Sequence, residues 1–372
     1  MKYVDEFRDG DTARALAGVI KAEVDPERDY RLMEFCGGHT HAIFRFGIND
    51  LMPENIHFIH GPGCPVCVLP AGRIEAAIRL VEEENLILCS YADLMRVPAG
   101  KRDSLQKAKA RGADIRMIYS PIDALAIARD NPERQVVFFA IGFETTTPPT
   151  AAAINTANAE GLSNFSVFCN HVETPPAMMH ILSAGEAKID GILGPSHVST
   201  IIGSSAYAEC CEKYHTPLVI AGFEPLDVIQ SVLMLVRQIN KGRATVENQY
   251  SRAVSKSGNE KAKALMHELF EQRPQFEWRG LGTLPESAVQ IRSAFADFDA
   301  EKRFNIKEIE TADIKGCICP AVLRGMNNPD ECKLFGTACT PEDPKGACMV
   351  SSEGACAAYY SYGRYRATEA KA

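Results

Sequence analysis

Long apolar runs and positive charge are both in short supply in this sequence. No run approaches the roughly 18 apolar residues that a membrane-spanning helix needs. Residues 1–16 mix both charge signs without an apolar core, so we expect no secretory signal. Lys and Arg number 40 against 48 Asp and Glu, and the formal charge of −8 disfavours a nucleic-acid or anionic-membrane surface. We therefore expect a soluble, cytoplasmic protein that binds neither nucleic acid nor membrane.

Several familiar catalytic motifs are also missing. We find no phosphate-binding glycine loop, no Ser/His/Asp arrangement and no nucleic-acid motif. Cysteine, by contrast, is abundant: the chain has 13, an odd number, and no export signal. This usage disfavours a disulfide scaffold and favours metal or redox chemistry. Seven cysteines are spread over residues 36–211 and six crowd into residues 317–356, which indicates two kinds of site.

Eight apolar segments predict the strands of an α/β protein. They lie at residues 31–35, 56–59, 86–91, 115–119, 136–141, 165–169, 191–194 and 218–221, and helical patterns follow several of them. Because the segments are continuously apolar rather than alternating, we expect strands buried on both faces, in parallel sheets covered by helices. Eight such units admit either one closed barrel or two open four-stranded sheets, and periodicity does not decide between them.

The length of 372 residues implies two or three domains. If the sheets are open, the eight units divide into α/β domains at residues 1–130 and 131–240, with a smaller, mainly helical or irregular domain over residues 241–372. In that last region a polar connector leads into a predicted helix at 259–272, and cysteine then replaces regular structure from residue 313 onward. The similarity of "FFAIGFETT" (138–146) to "VIAGFEPLD" (219–227) is a weak internal echo.

Two glycine-rich loops after the first two predicted strands carry the first candidate site. The segment Cys36-Gly37-Gly38-His39-Thr40-His41 follows the first strand, and Cys64-Pro65-Val66-Cys67 follows the second. The carboxyl ends of parallel strands are where ligands bind. Cys64 and Cys67 form a Cys-x-x-Cys pair between a strand and a helix, typical of a redox couple or of half a metal site. Gly37 and Gly38, beside Cys36, let the backbone approach a ligand closely, and His39 and His41 are candidates for metal binding, ligand hydrogen bonding or proton relay.

Other candidates are less specific. Glu144 could act as a base or metal ligand, but a carboxylate stabilised at a helix start explains it equally well. His171 and His197 also follow strands and carry the same ambiguity. The cysteines at 89, 169, 210 and 211 are most simply explained as core residues.

The C-terminal cysteines are the strongest signal. Six of them share a short segment that has little else with which to build a core: Cys317, Cys319, Cys332, Cys339, Cys348 and Cys356. Such a segment needs a cofactor as a staple. Four thiolates without nearby histidines favour an iron–sulfur cluster over a structural zinc. Two of the six must then be spectators, and their spacing does not say which.

With these motifs in view, the sequence resembles the HypD family of [NiFe]-hydrogenase maturation factors over essentially its whole length. The resemblance rests on "CGGHTHAIF" (36–44), "GPGCPVCVLP" (61–70), "GFETT" (142–146), "GFEPLD" (222–227), "VENQY" (246–250), "EWRGLG" (277–282) and "SSEGACAA" (351–358). It implies a scaffold for the Fe(CN)2CO moiety that works with a HypC-type chaperone and receives cyanide from a HypE-type donor. It also implies two similar α/β domains plus a third that bears the cluster, which favours open sheets.

The resemblance also implies roles for particular residues. Cys36 would hold the iron, and Cys64 and Cys67 would be the redox-active pair. The family's [4Fe–4S] pattern falls on four cysteines: Cys319, Cys332, Cys339 and Cys356. Cys317 and Cys348 fall outside that pattern, as packing residues or reserve thiols. We expect electrons to pass from the cluster to the Cys64/Cys67 pair and then to the iron.

Two other classes of function stay open at this point. A stand-alone iron–sulfur thiol-disulfide oxidoreductase would need only the Cys64/Cys67 pair and no partner chaperone. A zinc-stabilised structural protein would contain zinc and no iron. Whether the scaffold is an enzyme in the sense of turnover is not decided by the sequence.

Overall fold

The computed structural model describes residues 4–363, and all eight predicted strands form within two residues of their expected bounds. The strands are β1 (Tyr30–Glu34), β2 (Ile56–His60), β3 (Ile87–Ser90), β4 (Ile115–Met117), β5 (Val136–Gly142), β6 (Phe165–His171), β7 (Gly191–Gly194), β8 (Leu218–Ile220), β9 (Val246–Asn248), β10 (Phe270–Trp278) and β11 (Gly282–Ile291). No helix within the described residues has the length and apolar character needed to cross a membrane.

The α-helices follow the strands closely along the chain. They are α1 (Gly10–Glu23), α2 (Gly37–Arg45), α3 (Ile48–Leu51), α4 (Pro65–Val68), α5 (Ala71–Glu83), α6 (Leu105–Ala110), α7 (Pro121–Asp130), α8 (Thr147–Glu160), α9 (Thr174–Ala184), α10 (Ser196–Ile202), α11 (Ala208–Tyr214), α12 (Pro225–Asn240), α13 (Glu260–Leu269), α14 (Ala300–Arg303), α15 (Cys319–Leu323) and α16 (Ala355–Ala358). Short 3-10 helices lie at Asp5–Phe7, Ala92–Arg96, Gly100–Arg102, Ser204–Tyr207, Ser293–Phe298, Pro329–Glu331 and Ala347–Met349, and a π-helical turn at Tyr359–Gly363.

Two open parallel sheets form the centre of the molecule. Sheet A has the order β2-β1-β7-β8-β9 and sheet B the order β4-β3-β5-β6, and every neighbouring pair is parallel. The α/β prediction with two helix-flanked parallel sheets is therefore confirmed, and the closed barrel is excluded. Sheet A has a fifth strand, β9, which comes from the segment expected to be a polar connector.

The chain enters sheet A, leaves it to build all of sheet B, and then returns. Sheet A takes β1 and β2 from residues 30–60 and its other strands from residues 191–248, whereas sheet B is made from residues 87–171. This arrangement differs from the expected domain boundary at residue 130. Strands β3 and β4, which precede that boundary, belong to the same sheet as β5 and β6, which follow it. Apolar periodicity marks a strand but does not identify its neighbour, since pairing depends on which faces are buried together.

Both faces of the central strands are buried, which explains their continuous apolar sequences. In β5, Val137 and Phe139 face the large core between the sheets, whereas Val136 and Phe138 face an outer core that includes residues of α7 and α8. This is the expected alternation of side chains along a strand, with both faces covered. The core between the sheets also contains Met33 of β1, so the two sheets share it.

The C-terminal third begins with a hairpin that the sequence did not reveal. Helix α13 ends at Leu269, and β10 and β11 follow as an antiparallel pair with an irregularity between Arg273 and Gln275. The predicted helix over 259–272 was therefore too long. The hairpin packs on β6 and α9 and buries Trp278, so it extends the coverage of sheet B. Its exposed polar positions had masked the alternation expected of a strand.

Candidate metal-binding and redox site

Cys36 lies at the carboxyl end of β1 and caps the amino terminus of α2. The order of sheet A reverses at this point, between β1 and β7, which is where open α/β sheets bind ligands. The side chain is 7% exposed. Burial, followed by the nearby carboxylate of Glu353, raises the pKa of the Cys36 thiol well above its usual range. Cys36 is therefore held as a neutral thiol at a switch point of the sheet.

Three glycines let neighbouring loops approach Cys36 more closely than any side chain would allow. A Cβ on Gly63 would lie 2.5 Å from the Cys36 backbone, and one on Gly38 would lie 2.4 Å from the ring of Phe223. A Cβ on Gly37 would lie 2.4 Å from Cβ of Glu353. The motif that contains Cys36 is thus enclosed by the loop after β2, the loop after β8 and the loop around Glu353. The Gly37 N–H also donates to the carbonyl oxygen of Gly63 at 3.3 Å.

A buried carboxylate that the sequence analysis missed supports this loop. Glu34, the last residue of β1, accepts hydrogen bonds from the Cys36 N–H at 3.3 Å and from the Thr40 hydroxyl, and its Oε1 lies 2.9 Å from Nδ1 of His60. Burial raises the pKa of Glu34, and these partners oppose the rise. A charged residue within the apolar run "RLMEF" was the available signal.

The two histidines of the motif lie in different environments. His39 is buried, its Nε2 is 2.9 Å from the carbonyl oxygen of Ala221, and its Nδ1 has no hydrogen-bond partner among residues 4–363. Burial lowers the pKa of His39 to about 4, so the ring is neutral near pH 7. His41 is half-buried, with Nδ1 3.4 Å from the carbonyl oxygen of Ser352. The ring of Phe223 lies between His39 and His197, at centroid distances of 4.9 and 4.2 Å.

Cys64 and Cys67 form a disulfide at the start of α4. Both are buried, and their Cα atoms are 5.2 Å apart. Gly63 packs against the backbone of Cys36, and the next residue along the chain is Cys64 of this disulfide. The structure therefore brings together the two cysteine loops that the sequence placed at one sheet edge.

Glu144 lies at the edge of the other sheet, just after β5. Its carboxylate accepts hydrogen bonds from the N–H and hydroxyl of Thr174 at 2.8 and 2.9 Å. Burial, followed by the carboxylate of Glu173, raises the pKa of Glu144 to about 7. The buried phenol of Tyr207 is within electrostatic reach of both Glu144 and Cys36, and burial raises its pKa. Tyr207 is therefore influenced electrostatically by residues at both sheet edges, which the sequence did not indicate.

The six C-terminal cysteines separate into a pair and a group of four. Cys319 and Cys348 form a second disulfide, with Cα atoms 6.3 Å apart. The pKa of the Cys356 thiol is raised by burial and then by the charges of Cys317, Cys339 and Cys332. The sequence pattern assigned Cys319 to the group of four; the structure instead joins Cys319 to Cys348, and it is Cys317 whose charge acts on Cys356.

The group of four fits an iron–sulfur cluster better than a single ion. Within residues 4–363, no three His, Cys, Asp or Glu side chains gather closely enough to hold one metal ion. A four-iron cluster holds its cysteines further apart, because each one binds a different iron, and an all-thiolate set suits it.

The two disulfides are close together inside the molecule. Helix α4 packs on the 3-10 helix Ala347–Met349, and Sγ of Cys67 lies 4.0 Å from the carbonyl oxygen of Ala347. A Cβ on Gly346 would lie 2.5 Å from Sγ of Cys317 and 3.5 Å from Sγ of Cys319. A line of sulfur atoms therefore leads from the group of four, through both disulfides, to the neighbourhood of Cys36. The fold and site together define an α/β thiol protein with Cys36 at one end of this line.

Comparison with known proteins gives the family. The family described as "Hydrogenase formation hypA family" (HypD) matches residues 11–363. The chain is 64% identical over 371 residues to hydrogenase maturation factor HypD of Azotobacter vinelandii, covering 98% of each. It is 46% identical over 367 residues to hydrogenase maturation factor HypD of Escherichia coli (strain K12), covering 97% of this chain and 98% of the relative. The chain therefore belongs to the HypD family of hydrogenase maturation factors.

Proposed function

We propose that this chain is the scaffold on which the Fe(CN)2CO moiety of [NiFe]-hydrogenase is assembled. In this proposal Cys36 holds the iron in complex with a HypC-type chaperone, and a HypE-type donor supplies the cyanide. The observation that carries the proposal is the setting of Cys36, a buried thiol at a sheet switch point beside a disulfide. Membership of a family of hydrogenase maturation factors supports it.

Iron binding by Cys36 requires the thiol to lose its proton, because the thiolate is the metal ligand. The carboxylate of Glu353, whose charge acts on the Cys36 thiol, is the acceptor that we assign to that proton. His39 stays neutral and offers its free Nδ1 to the bound substrate as a hydrogen-bonding group. His41, half-buried beside Ser352, gives a path for protons to solvent.

Glu144 serves in this proposal as a reserve of protons for the same site. With a pKa of about 7, its carboxyl group exchanges a proton near neutral pH. The charges of Glu144 and Cys36 both act on the buried Tyr207 hydroxyl, which is 3.0 Å from the hydroxyl of Ser199. The two sheet edges would then act as one proton-handling unit.

The disulfides provide the two-electron chemistry. Reduction of Cys64–Cys67 consumes two electrons and two protons and gives two thiols. The reduced Cys319/Cys348 pair supplies them by thiol–disulfide exchange, in which it becomes oxidised as Cys64–Cys67 is reduced. Cys317, Cys332, Cys339 and Cys356 would hold a [4Fe–4S] cluster, which supplies one-electron transfer when bound. A stand-alone oxidoreductase is less well supported, because both disulfides are buried away from external thiols.

The test is infrared spectroscopy of the anaerobic protein co-expressed with its HypC-type partner. Wild type should show CO and CN stretching bands together with bound iron outside the cluster. Cys36→Ser should reduce these bands by about tenfold or more, because the iron loses its soft thiolate anchor. The control Cys89→Ser, which changes a buried cysteine of β3, should keep them. Full-intensity bands in Cys36→Ser would refute the proposal.

A further inference from the structure

The segment that links β3 to β4 is the most basic part of this acidic chain. Residues 96–116 contain seven Lys and Arg and only two carboxylates, whereas the whole chain has a formal charge of −8. Six of the seven cations are exposed: Arg96, Lys101, Arg102, Lys107, Lys109 and Arg111. An acidic protein would be repelled by most of this molecule and drawn to this segment.

Four cations line one surface cavity of about 470 Å³, which we call the basic pocket: Arg96, Arg102, Lys107 and Lys345. Carboxylates line it too. Asp103 is bound by Arg111 at 2.7 and 3.0 Å, and Asp343 pairs with Lys345 while Lys107 and Arg102 also act on it. Glu342 is the third carboxylate of the lining.

The backbone that carries these cations is strained. Lys101 and Arg102 are both non-glycine residues with left-handed φ values of 55° and 61°. Each costs about 1–2 kcal/mol in an L-residue. The turn is held by hydrogen bonds from the Ala99 N–H to the Asp103 carbonyl oxygen at 2.9 Å, and from the Asp103 N–H to the Gly100 carbonyl oxygen at 3.0 Å. Strain maintained in this way is typical of functional segments.

One segment of backbone separates the basic pocket from the line of sulfur atoms described above. Residues 342–345 line the pocket, and the Lys345 N–H donates to Sγ of Cys339 at 3.3 Å. The next residue, Gly346, touches Cys317 and lies close to Cys319. Ile314, on another side of the pocket, accepts a hydrogen bond from the Cys317 N–H at 3.1 Å. A molecule in the pocket is therefore separated from these sulfurs by a single layer of backbone.

Burial decides what kind of reductant can use this position. Cys319 is 3% exposed and Cys348 is fully buried. Thiol–disulfide exchange needs direct attack by a thiolate on sulfur, so an external dithiol cannot reach this disulfide. Electrons can cross the thin wall without such contact. Met117 and the 97% exposed Tyr119, which follow the basic segment along the chain, are exposed apolar residues of the kind that protein interfaces use.

We propose that the basic pocket docks an acidic one-electron carrier protein that reduces this chain. The inference rests on the proposed function, since it names the source of electrons for the same sulfur line. Two reduced carriers each lose one electron, and the Cys319–Cys348 disulfide gains two electrons and two protons from solvent to become two thiols.

The test uses a reduced plant-type [2Fe–2S] ferredoxin, a small acidic protein, as the probe. Binding is measured by anaerobic calorimetry on wild type and on Arg102→Glu/Lys107→Glu. We expect the double variant to weaken the Kd about tenfold at low salt, because like charges then face each other, and the difference should shrink at high salt. Arg102→Gln/Lys107→Gln should lie between them. The control Lys21→Glu/Lys241→Glu, with the same charge change on α1 and just after α12, should bind like wild type.

A second readout follows the disulfide itself. Ferredoxin-driven reduction, quantified by alkylation and mass mapping of Cys319 and Cys348, should slow in the pocket variant, whereas reduction by methyl viologen, a small cation, should not. Equal binding by wild type and Arg102→Glu/Lys107→Glu would overturn the proposal, as would faster reduction by a thioredoxin-type dithiol than by ferredoxin. Absence of an iron–sulfur chromophore in wild type would count against the proposed cluster instead, and the binding measurement would still test the pocket.

Discussion

At the scale of single residues, the distinction between Cys317 and Cys319 has the clearest consequence. They are two positions apart, yet Cys319 pairs with Cys348 while Cys317 acts on Cys356 together with Cys332 and Cys339. Sequence spacing could not separate them, because Cys317 lies just before helix α15 and Cys319 is its first residue. Only the fold determines which sulfur faces which partner.

This distinction predicts opposite results for two matched substitutions. Cys317→Ser should lose most of the iron–sulfur chromophore and about four irons per chain, because a [4Fe–4S] cluster needs four thiolates. Cys319→Ser should keep the chromophore and lose only the disulfide. Iron and acid-labile sulfide analysis of anaerobically purified protein measures both. Loss of the cluster in Cys319→Ser but not in Cys317→Ser would return the assignment to the original sequence pattern.

Glu144 gives a prediction of pH dependence at the same scale. Its pKa is about 7 in the folded protein against an ordinary value of 4.5, so the folded state binds more protons than the unfolded state between these values. The free energy of unfolding should therefore fall as pH rises from about 4.5 to 7, by up to about 3 kcal/mol.

Glu144→Gln should remove that part of the pH dependence, since an amide does not ionise. Thermal unfolding measured from about pH 5 to pH 8 checks it, with Glu268→Gln on the exposed side of α13 as the control. An unchanged pH profile in Glu144→Gln would contradict the assigned environment of this carboxylate.

At the scale of elements, one buried ion network joins the hairpin to sheet B. Glu301 of α14 accepts a hydrogen bond from Arg73 of α5 at 2.7 Å and is also paired with Arg273 of β10. Burial would raise the pKa of Glu301, but the two guanidinium groups outweigh it and lower the pKa to about 2. Arg73 also donates to the Cys169 carbonyl oxygen at 3.1 Å, which ties the network to β6.

Glu301→Gln should therefore destabilise the protein by about 3–5 kcal/mol, because it leaves two buried cations without their charge partner. A chemical denaturation curve measures the change. Glu160→Gln, which breaks the exposed Arg129–Glu160 pair, should have little effect. In wild type, the contribution of Glu301 is present above about pH 4.5 and is lost as pH falls toward 2. Similar stability in the two variants would show that the network does not hold the hairpin.

Elements were also the scale at which the sequence was most informative. Strands such as β5 and β6 were predictable because both of their faces are buried, so nearly every residue is apolar. The hairpin was not predictable, because β10 has mostly half-buried or exposed positions and includes Pro274. The three-residue β9 lies in a polar segment and is held mainly by its pairing with β8.

At the scale of the whole molecule, the site draws on parts of the chain that are far apart in sequence. Motifs around Cys36, Cys64 and Glu144 were recognisable locally, since glycine-rich loops at strand ends have few other uses. Their companions Glu34, Tyr207 and Glu353 were not, because each acts through a contact made only in the folded protein. The line of sulfurs was likewise invisible until α4 met the 3-10 helix Ala347–Met349.

The route of the chain through the two sheets has a consequence for biosynthesis. On the ribosome, sheet B is complete once residue 171 has emerged, whereas β1 and β2 must wait for β7, β8 and β9, the last of which ends at Asn248. Until then Cys36 has no finished edge around it. The Cys36 thiol is therefore synthesised early, but its surroundings are completed only after most of the polypeptide has been translated.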